Sequence, residues 1–557
     1  MTNIVRKTCL RRNRQLSAAA ILFFLSGSCG LVLECVWMHM LRLVMGNTVF
    51  AVTTVLSAFM AGLGFGAWLG GRLIQRLQKK ALLVYAVLEA AIGLYAVSLP
   101  QLLELARPLY RWIYQSVPDS IILITLVRFL VCTLFLLIPT VCMGASLPVL
   151  SSFFAGGDRR AGRSAGFLYS VNTLGAAAGA FAAGFLLMPQ LGLTGTVYAA
   201  ASVNLVIGLA AATVFVLSKE DTGPVHAPGE PVKEQKTEPA NTPGMSGAKA
   251  LSFILLVGYG LAGTAAFSYE VAWTRTLSML TGSSTYAFSL MLTAFILGLG
   301  LGSMIMTAAV NRIRNGMVIL ALLEIAVGVC GVLTVPALAG LPLLITPFFA
   351  EYQDSYQIIL AVKSAAVLVI MLIPAGLMGA VFPLAAQLYS AHKRSIGRSV
   401  GNIYAANTGG SILGAAAAGF ILIPLTGLRM TIITAAGINI LLGCIFLAVS
   451  AVKSLQKLVL IPAIILSAAI LFTAQNQWDP AVLASGPSLY ADTFYNPDDP
   501  GKDTISSRMH QAKVIYHREG ICTTVTVRKA ASGEIILAVN GKTDASSRGD
   551  LDTQCLL

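Results

Sequence analysis

Apolar residues fall along this chain in long unbroken runs rather than at the spacing of a one-sided helix. Stretches of about 20 apolar residues, enough to cross a bilayer as a helix, occupy 17–37, 49–71, 81–101, 120–150, 165–188 and 195–217. Six more occupy 251–272, 284–308, 317–345, 357–389, 400–424 and 428–450. Twelve membrane helices are therefore predicted. A thirteenth run, Leu458 to Phe472, has about fifteen residues, at the lower edge of what spans. Between the two sets, residues 218–249 are rich in Pro, Glu, Lys, Thr and Gly and bury too little apolar surface to fold, so they read as a disordered linker. From Gln475 alternation replaces the long runs. Lys513 to His517, Ile521 to Arg528 and Glu534 to Val539 read as β-strands, and Asn540-Gly541 supplies a tight-turn signal. Residues 475–557 are enough for a small β-subdomain and little more.

The two sets of runs are copies. Glu34, Trp37, Gly46, Phe59, Gly62, Gly64 and Gly66 recur as Glu270, Trp273, Gly282, Phe295, Gly298, Gly300 and Gly302. One residue is then lost, and the register resumes: Glu89 with Glu324, Arg128 with Lys363, Pro139 with Pro374, Gly144 with Gly379, Tyr169 with Tyr404, Asn172 with Asn407 and Pro189 with Pro424. A self-match of fixed period over most of a chain means two equivalent structural units. Six spans per unit is an even number, so both copies enter the membrane from the same side. They form parallel repeats, 17–217 and 250–450, as in the two halves of major facilitator transporters. The expected fold is an all-α polytopic membrane protein with a small C-terminal β-subdomain.

Composition agrees: 56% of residues are hydrophobic and 11% charged, against about 25% charged in soluble domains, and the mean hydropathy is +0.78. The net charge of +14 matters less than where the basic residues stand. Arg6, Lys7, Arg11, Arg12 and Arg14 precede the first span, Arg72, Arg76, Lys79 and Lys80 follow the second, and Arg159, Arg160 and Arg163 follow the fourth. Arg312, Arg314, Lys393, Arg394 and Arg398 repeat the pattern. The side rich in Lys and Arg is the cytoplasmic one, which puts residues 1–16 in the cytoplasm of a cell whose inner membrane holds the chain. No nucleic-acid partner is expected; the bilayer is the partner. The first span is not read as a cleaved signal peptide, because its copy at 251–272 lies inside the chain. The nine cysteines show no metal-ligand spacing.

An ionisable side chain inside the membrane costs at least about 2.5 kcal/mol at a helix centre, so each needs a reason. Glu89 and Arg128 fall at similar depths on successive spans, and Glu324 and Lys363 repeat the opposition, which predicts an ion pair within each half or, alternatively, a role in substrate or proton handling. Glu34 and Glu270 stand three residues before Trp37 and Trp273. Either they accompany interfacial Trp anchors, or they are symmetric carboxylates facing a cavity that takes a cation. The Tyr-x-x-Asn-Thr segments Tyr169 to Thr173 and Tyr404 to Thr408 are followed by glycines four apart, which suits close helix packing; Asn172 and Asn407 are also candidates to bond a polar ligand. Pro139, Pro148, Pro374 and Pro383 should kink their spans.

The stretches SGSCGLVLECVW, AFMAGLGFGAWLGGRL, PTVCMGASLPVL and YSVNTLGAAAG, with the tail from WDPAVLASGPSLYA to NGKTDASSRGDLDTQCLL, resemble the membrane-bound spermidine synthase family, in which a polytopic region precedes an aminopropyltransferase-like domain. The resemblance implies a link to polyamine metabolism, with decarboxylated S-adenosylmethionine as co-substrate and a polyamine as acceptor. It also implies that Gln554 contacts the nucleotide substrate. Thr553 stands where relatives have a Tyr and Asp544 where they have a Gln, so the polyamine contact at Asp544 departs from the family's pattern. The family's glycine-rich nucleotide loop and its general base have no counterpart before Leu557, so no residue here is expected to be catalytic, no cofactor is held by the chain itself, and a separate chain would carry the nucleotide-binding domain. The leading expectation is thus a membrane-tethered spermidine-synthase-like protein. The alternatives are a major-facilitator-like transporter of a polyamine or other small cation, and a membrane scaffold. If 458–473 spans, the segment after it lies on the outer side; if it is re-entrant, that segment stays cytoplasmic.

Overall fold

The computed structural model describes residues 2–45, 49–116, 121–155, 161–219, 245–391, 395–450, 452–473, 478–499 and 501–549. The predicted linker falls largely outside them. The first half comprises α1 (Thr2–Met45), α2 (Val49–Leu77), α3 (Ala81–Ser116), α4 (Ile121–Ala155), α5 (Ala161–Ala182) and α6 (Met188–Lys219); the second comprises α7 (Met245–Thr281), α8 (Thr285–Ala309), α9 (Gly316–Glu351), α10 (Tyr356–Ser390), α11 (Ile396–Ala416) and α12 (Ile423–Val449). Among the described residues nine continuous apolar stretches are long enough to span, and three of them, Thr54–Leu105, Arg163–Leu217 and Ile396–Val449, are long enough to cross twice. That makes twelve crossings. Leu209, Ile305 and Val369 turn more than two thirds of their surface outward, as expected of side chains that meet lipid.

The repeat is carried into the packing. In the first half α1 lies on α5, α2 on α4 and α3 on α6; in the second α7 lies on α11, α8 on α10 and α9 on α12. The halves meet through α2 with α11 and α5 with α8, a pair of contacts that a two-fold axis along the membrane normal exchanges. Small residues make the close approaches, because helices in lipid associate by packing rather than by hydrophobic expulsion. A side chain at Gly175 or Gly179 would strike the carbonyls of Phe24 or Ser28 on α1, and one at Gly410 or Gly414 those of Gly260 or Thr264 on α7. Gly66 and Gly302 hold the same place between α2 and α4 and between α8 and α10.

The turns are also repeated. A π-helical segment at Ala183–Leu187 joins α5 to α6, and one at Ala417–Leu422 joins α11 to α12. Just beyond each, Gly192 (φ 66°) and Gly427 (φ 88°) adopt a backbone that only glycine enters freely and reverse the chain. The four prolines expected to kink helices lie inside α4 and α10, which run through them as continuous helices. Pro139 cannot donate to the Phe135 carbonyl; the Tyr95 hydroxyl of α3 donates to that oxygen instead, at 2.7 Å.

The thirteenth run forms α13 (Ser454–Thr473). Its 20 residues span about 30 Å at 1.5 Å per residue, the thickness of a hydrocarbon core. Lys457 reaches back to the carbonyls of Ala448 and Ser450 at the end of α12, so α13 starts where α12 stops, and Ile461 and Ile464 pack it back along α12 against Ile440 and Cys444, toward the end where α12 begins.

There the chain builds a compact C-terminal unit: α14 (Pro480–Leu483), α15 (Pro487–Phe494), α16 (Lys502–Met509), and strands β1 (Lys513–Glu519), β2 (Thr524–Lys529), β3 (Ile535–Val539) and β4 (Lys542–Ser546). The strands form an antiparallel meander in the order β1-β2-β3-β4. Asn540 (φ 50°) and Gly541 (φ 82°) make the tight turn between β3 and β4, as their sequence predicts. Trp478 fastens the unit to the bundle by donating to the Val335 carbonyl of α9 at 3.0 Å.

Candidate functional site

Between the halves lies a cavity of about 430 Å³, at the lower end of the 300–1,000 Å³ usual for small-molecule sites. Glu34 of α1 and Glu270 of α7 face it from equivalent positions. α1 continues to Met45 and α7 to Thr281, so each carboxylate lies eleven residues, about 16 Å, inside its helix end. Trp37 and Trp273 are fully buried, not surface anchors. Trp273 stacks on Tyr269 with ring centroids 4.8 Å apart and donates to Thr334 at 3.0 Å.

Glu34 is 8% exposed, and among the described residues neither its carboxylate nor that of Glu270 has a hydrogen-bond or ion-pair partner. A carboxylate away from water is costly unless something pairs with it. The rings of Tyr169, Tyr259 and Tyr404 also line the cavity. Tyr169 packs on Phe382 at 4.3 Å. Acidic groups and aromatic faces together are the surroundings that attract organic cations.

The other buried carboxylates are fixed differently from the predicted ion pairs. Glu89, with no exposure, accepts from the Ser26 hydroxyl at 2.6 Å, and Glu324, 1% exposed, accepts from the Asn439 amide at 2.6 Å. Among the described residues the second oxygen of each has no hydrogen-bond partner, and neither carboxylate forms an ion pair with Arg128 or Lys363. Lys363 instead lies over the Phe349 ring, 5.9 Å from its centroid. Counting residues gives a side chain's depth but not the direction it takes around the helix, and Glu89 turns toward α1. Glu324 and Asn439 line the cavity.

Asn172 and Asn407 line the cavity too, but each amide is spent on packing. Asn172 donates to the Phe23 carbonyl and Asn407 to the Tyr259 carbonyl, both at 3.1 Å, which ties α5 to α1 and α11 to α7. Asp544 stands on β4, 3.9 Å from Lys542 and 45% exposed, away from the cavity. Gln554 lies outside the described residues. The site also contains groups that sequence reasoning missed. Arg275 on α7, Cys522 in the β1–β2 turn and Asn540 beyond β3 all border the cavity; a polar residue five positions after Glu270 on the same helix was the one available signal.

No protein-family model matches the chain, and no curated protein does. Solved structures do. The chain is similar to the nucleoside transporter NupG at 14% identity, with 79% of this chain and 100% of that one covered and a TM-score of 0.43. It is similar to the E. coli fucose:proton symporter FucP at 14% identity, with 78% and 98% covered and a TM-score of 0.44. A bacterial homologue of the iron transporter ferroportin matches at 12% identity, with 78% and 98% covered and a TM-score of 0.48. The expected membership of the membrane-bound spermidine synthase family is therefore corrected: no family model and no curated protein supports it. The glycine-rich stretch of α2 that suggested it is a packing surface, with Gly62 against Thr140 and Gly70 against Ala145. The spermidine-synthase function falls with the resemblance, which was also the sole support for a nucleotide-binding partner chain.

Proposed function

We propose that this protein carries a small organic cation bearing two amino groups, a diamine or polyamine, across the membrane by alternating exposure of the central cavity. The observation that supports this reading is the pair Glu34 and Glu270: two carboxylates, one from each half, facing one cavity and without a hydrogen-bond or ion-pair partner among the described residues. A diamine satisfies both at once and spreads the contact across the two halves, so its binding is coupled to their relative position. The tyrosine rings hold its methylenes and add cation–π attraction to its ends. The seams along which the halves rock are α2 with α11 and α5 with α8, where small groups meet: Gly401 lies on the Ala67 carbonyl, and the Ser170 and Ser303 hydroxyls bond at 3.0 Å.

The basic loops after α2 and α8 lie on the face from which α1 enters. By the excess of Lys and Arg on the cytoplasmic side, that face is cytoplasmic, the membrane is the inner one, and the C-terminal unit is outside. The test is uptake of labelled putrescine into proteoliposomes holding the full chain. Wild type should show saturable flux, Glu34→Gln and Glu270→Gln each about a tenfold loss or more, as expected for one charge-assisted hydrogen bond, and the double variant none. Equal flux in wild type and the double variant overturns the proposal.

A further inference from the structure

We infer that the cavity is completed by the C-terminal unit, whose β1–β2 turn, residues 520–523, roofs it on the face opposite the basic loops and moves with the second half; the inference rests on the transport reading for its consequence but not for its geometry. Cys522 of this turn and Asn540 after β3 border the cavity alongside Glu270, so the site includes side chains from a unit more than 240 residues away in sequence.

Two clamps hold the turn down. The Arg275 guanidinium, five residues beyond Glu270 on the same helix, donates to the carbonyls of Gly520 at 2.7 Å and Ile521 at 3.2 Å. A guanidinium presents five donors in a fixed plane, and two bonds from it to neighbouring carbonyls fix the turn in position and direction. The second clamp is Glu519, whose carboxylate accepts from the backbone N–H of Leu428. Gly427 breaks the helix there, leaving N–H groups at a new helix start without partners; a carboxylate at that end satisfies one and suits the helix dipole. Behind the turn, Asn540 stiffens the hairpin: its N–H donates to the Thr524 carbonyl at 2.8 Å and its side chain accepts from the Thr524 N–H at 2.9 Å.

Both clamps belong to the second half. The unit's packing likewise falls on it: α14 and α15 lie on α7 and α9, α16 on α9, and β1 on α12. When the halves separate on this face, the roof goes with α7–α12 and the gap opens along the first half. Roofing residues Cys522 and Asn540 carry no formal charge, so the roof limits the size of the cargo without competing for its positive ends.

The test reads accessibility, not transport. In the full chain in proteoliposomes, with Cys522→Ser to silence the turn, Ala266→Cys on the cavity wall is reacted with a cationic, membrane-impermeant methanethiosulfonate, and its labelling rate is followed by peptide mass spectrometry. Arg275→Gln and, separately, Glu519→Ala should each raise that rate about tenfold or more, the worth of one charge-assisted hydrogen bond. Glu519 lies on the surface unit, so its variant does not depend on the membrane helix folding around a changed Arg275. An unchanged rate in both variants overturns the roof. A second arm attaches a bulky maleimide to Cys522 of the native chain and follows labelled putrescine: blocked flux supports the roof. Raised accessibility with no putrescine flux in any form, wild type included, leaves the roof standing and removes the transport reading.

Discussion

Glu324 and Asn439 offer the sharpest test of how polar groups hold this bundle together. Both are buried, 1% and 2% exposed, and the Asn439 amide is the Glu324 carboxylate's hydrogen-bond donor, at 2.6 Å. Asn439→Leu keeps the volume and strips the donor, which leaves both carboxylate oxygens bare in an apolar setting. Stranding a buried polar group costs about 1–3 kcal/mol, more if it is charged. Glu324→Leu strands the amide at a similar cost. Replacing both by Leu removes the need along with the partner, and such exchanges are close to neutral. Interhelical hydrogen bonds in membranes average about 0.6 kcal/mol, with a maximum near 1.7, but this one involves a carboxylate that is almost wholly buried. The expected coupling in a double-mutant cycle is therefore about 1.5–3 kcal/mol, on the order of ten- to a hundredfold in the unfolding constant. The assay is unfolding of the purified chain in mixed micelles against increasing denaturing detergent, followed by tryptophan fluorescence. A double variant whose destabilisation equals the sum of the two single ones refutes the pairing.

Two further outcomes follow from packing and titration. Gly410 abuts the Gly260 carbonyl, while the position of Gly409 is open, so Gly410→Val should abolish recovery of monodisperse protein from membranes and Gly409→Val should leave it intact; equal yields would contradict the close approach of α11 and α7. In the C-terminal unit, the Ser506 carbonyl first, and then the Asp479 carboxylate 2.6 Å away, raise the His510 pKa above its usual 6.5. A raised value in the folded state means that the stabilisation is fully present below about pH 6.5 and is lost as pH rises through the raised folded value. With both side chains nearly half exposed, the gain is under about 1 kcal/mol. Protease resistance of the unit should be higher at pH 6 than at pH 8 in wild type and should lose that difference in His510→Ala.

Much of this architecture is written locally and was legible. Length and apolarity of the runs give the spans, the fixed register gives the two halves, and Asn540-Gly541 gives a hairpin turn because few other residue pairs enter that backbone. Gly192 and Gly427 reverse the chain between the last two spans of each half, in the gaps where the runs at 165–188 and 400–424 end. What was hidden depends on direction around a helix. Glu89 and Arg128 share a depth, yet the Glu89 carboxylate turns toward Ser26 on α1. Trp37 looked interfacial because the apolar run ends there, whereas the helix continues to Met45 and places the ring in the core. The roof was hidden more deeply still: no pattern along residues 520–523 announces that an arginine on α7 will hold their carbonyls. The glycine-rich stretches misled for a related reason, since any tightly packed helix pair in lipid selects small residues four apart, whatever the protein does.

Equilibrium binding of labelled putrescine to the purified full chain tests most directly whether Glu34 and Glu270 form a cation site. Wild type should bind saturably and prefer the diamine to a monoamine of equal length. Glu34→Gln with Glu270→Gln together should weaken binding about a hundredfold or more, the worth of two charge-assisted hydrogen bonds. Binding of equal strength in wild type and the double variant, or no preference for the second amino group, would contradict a site built on these two carboxylates.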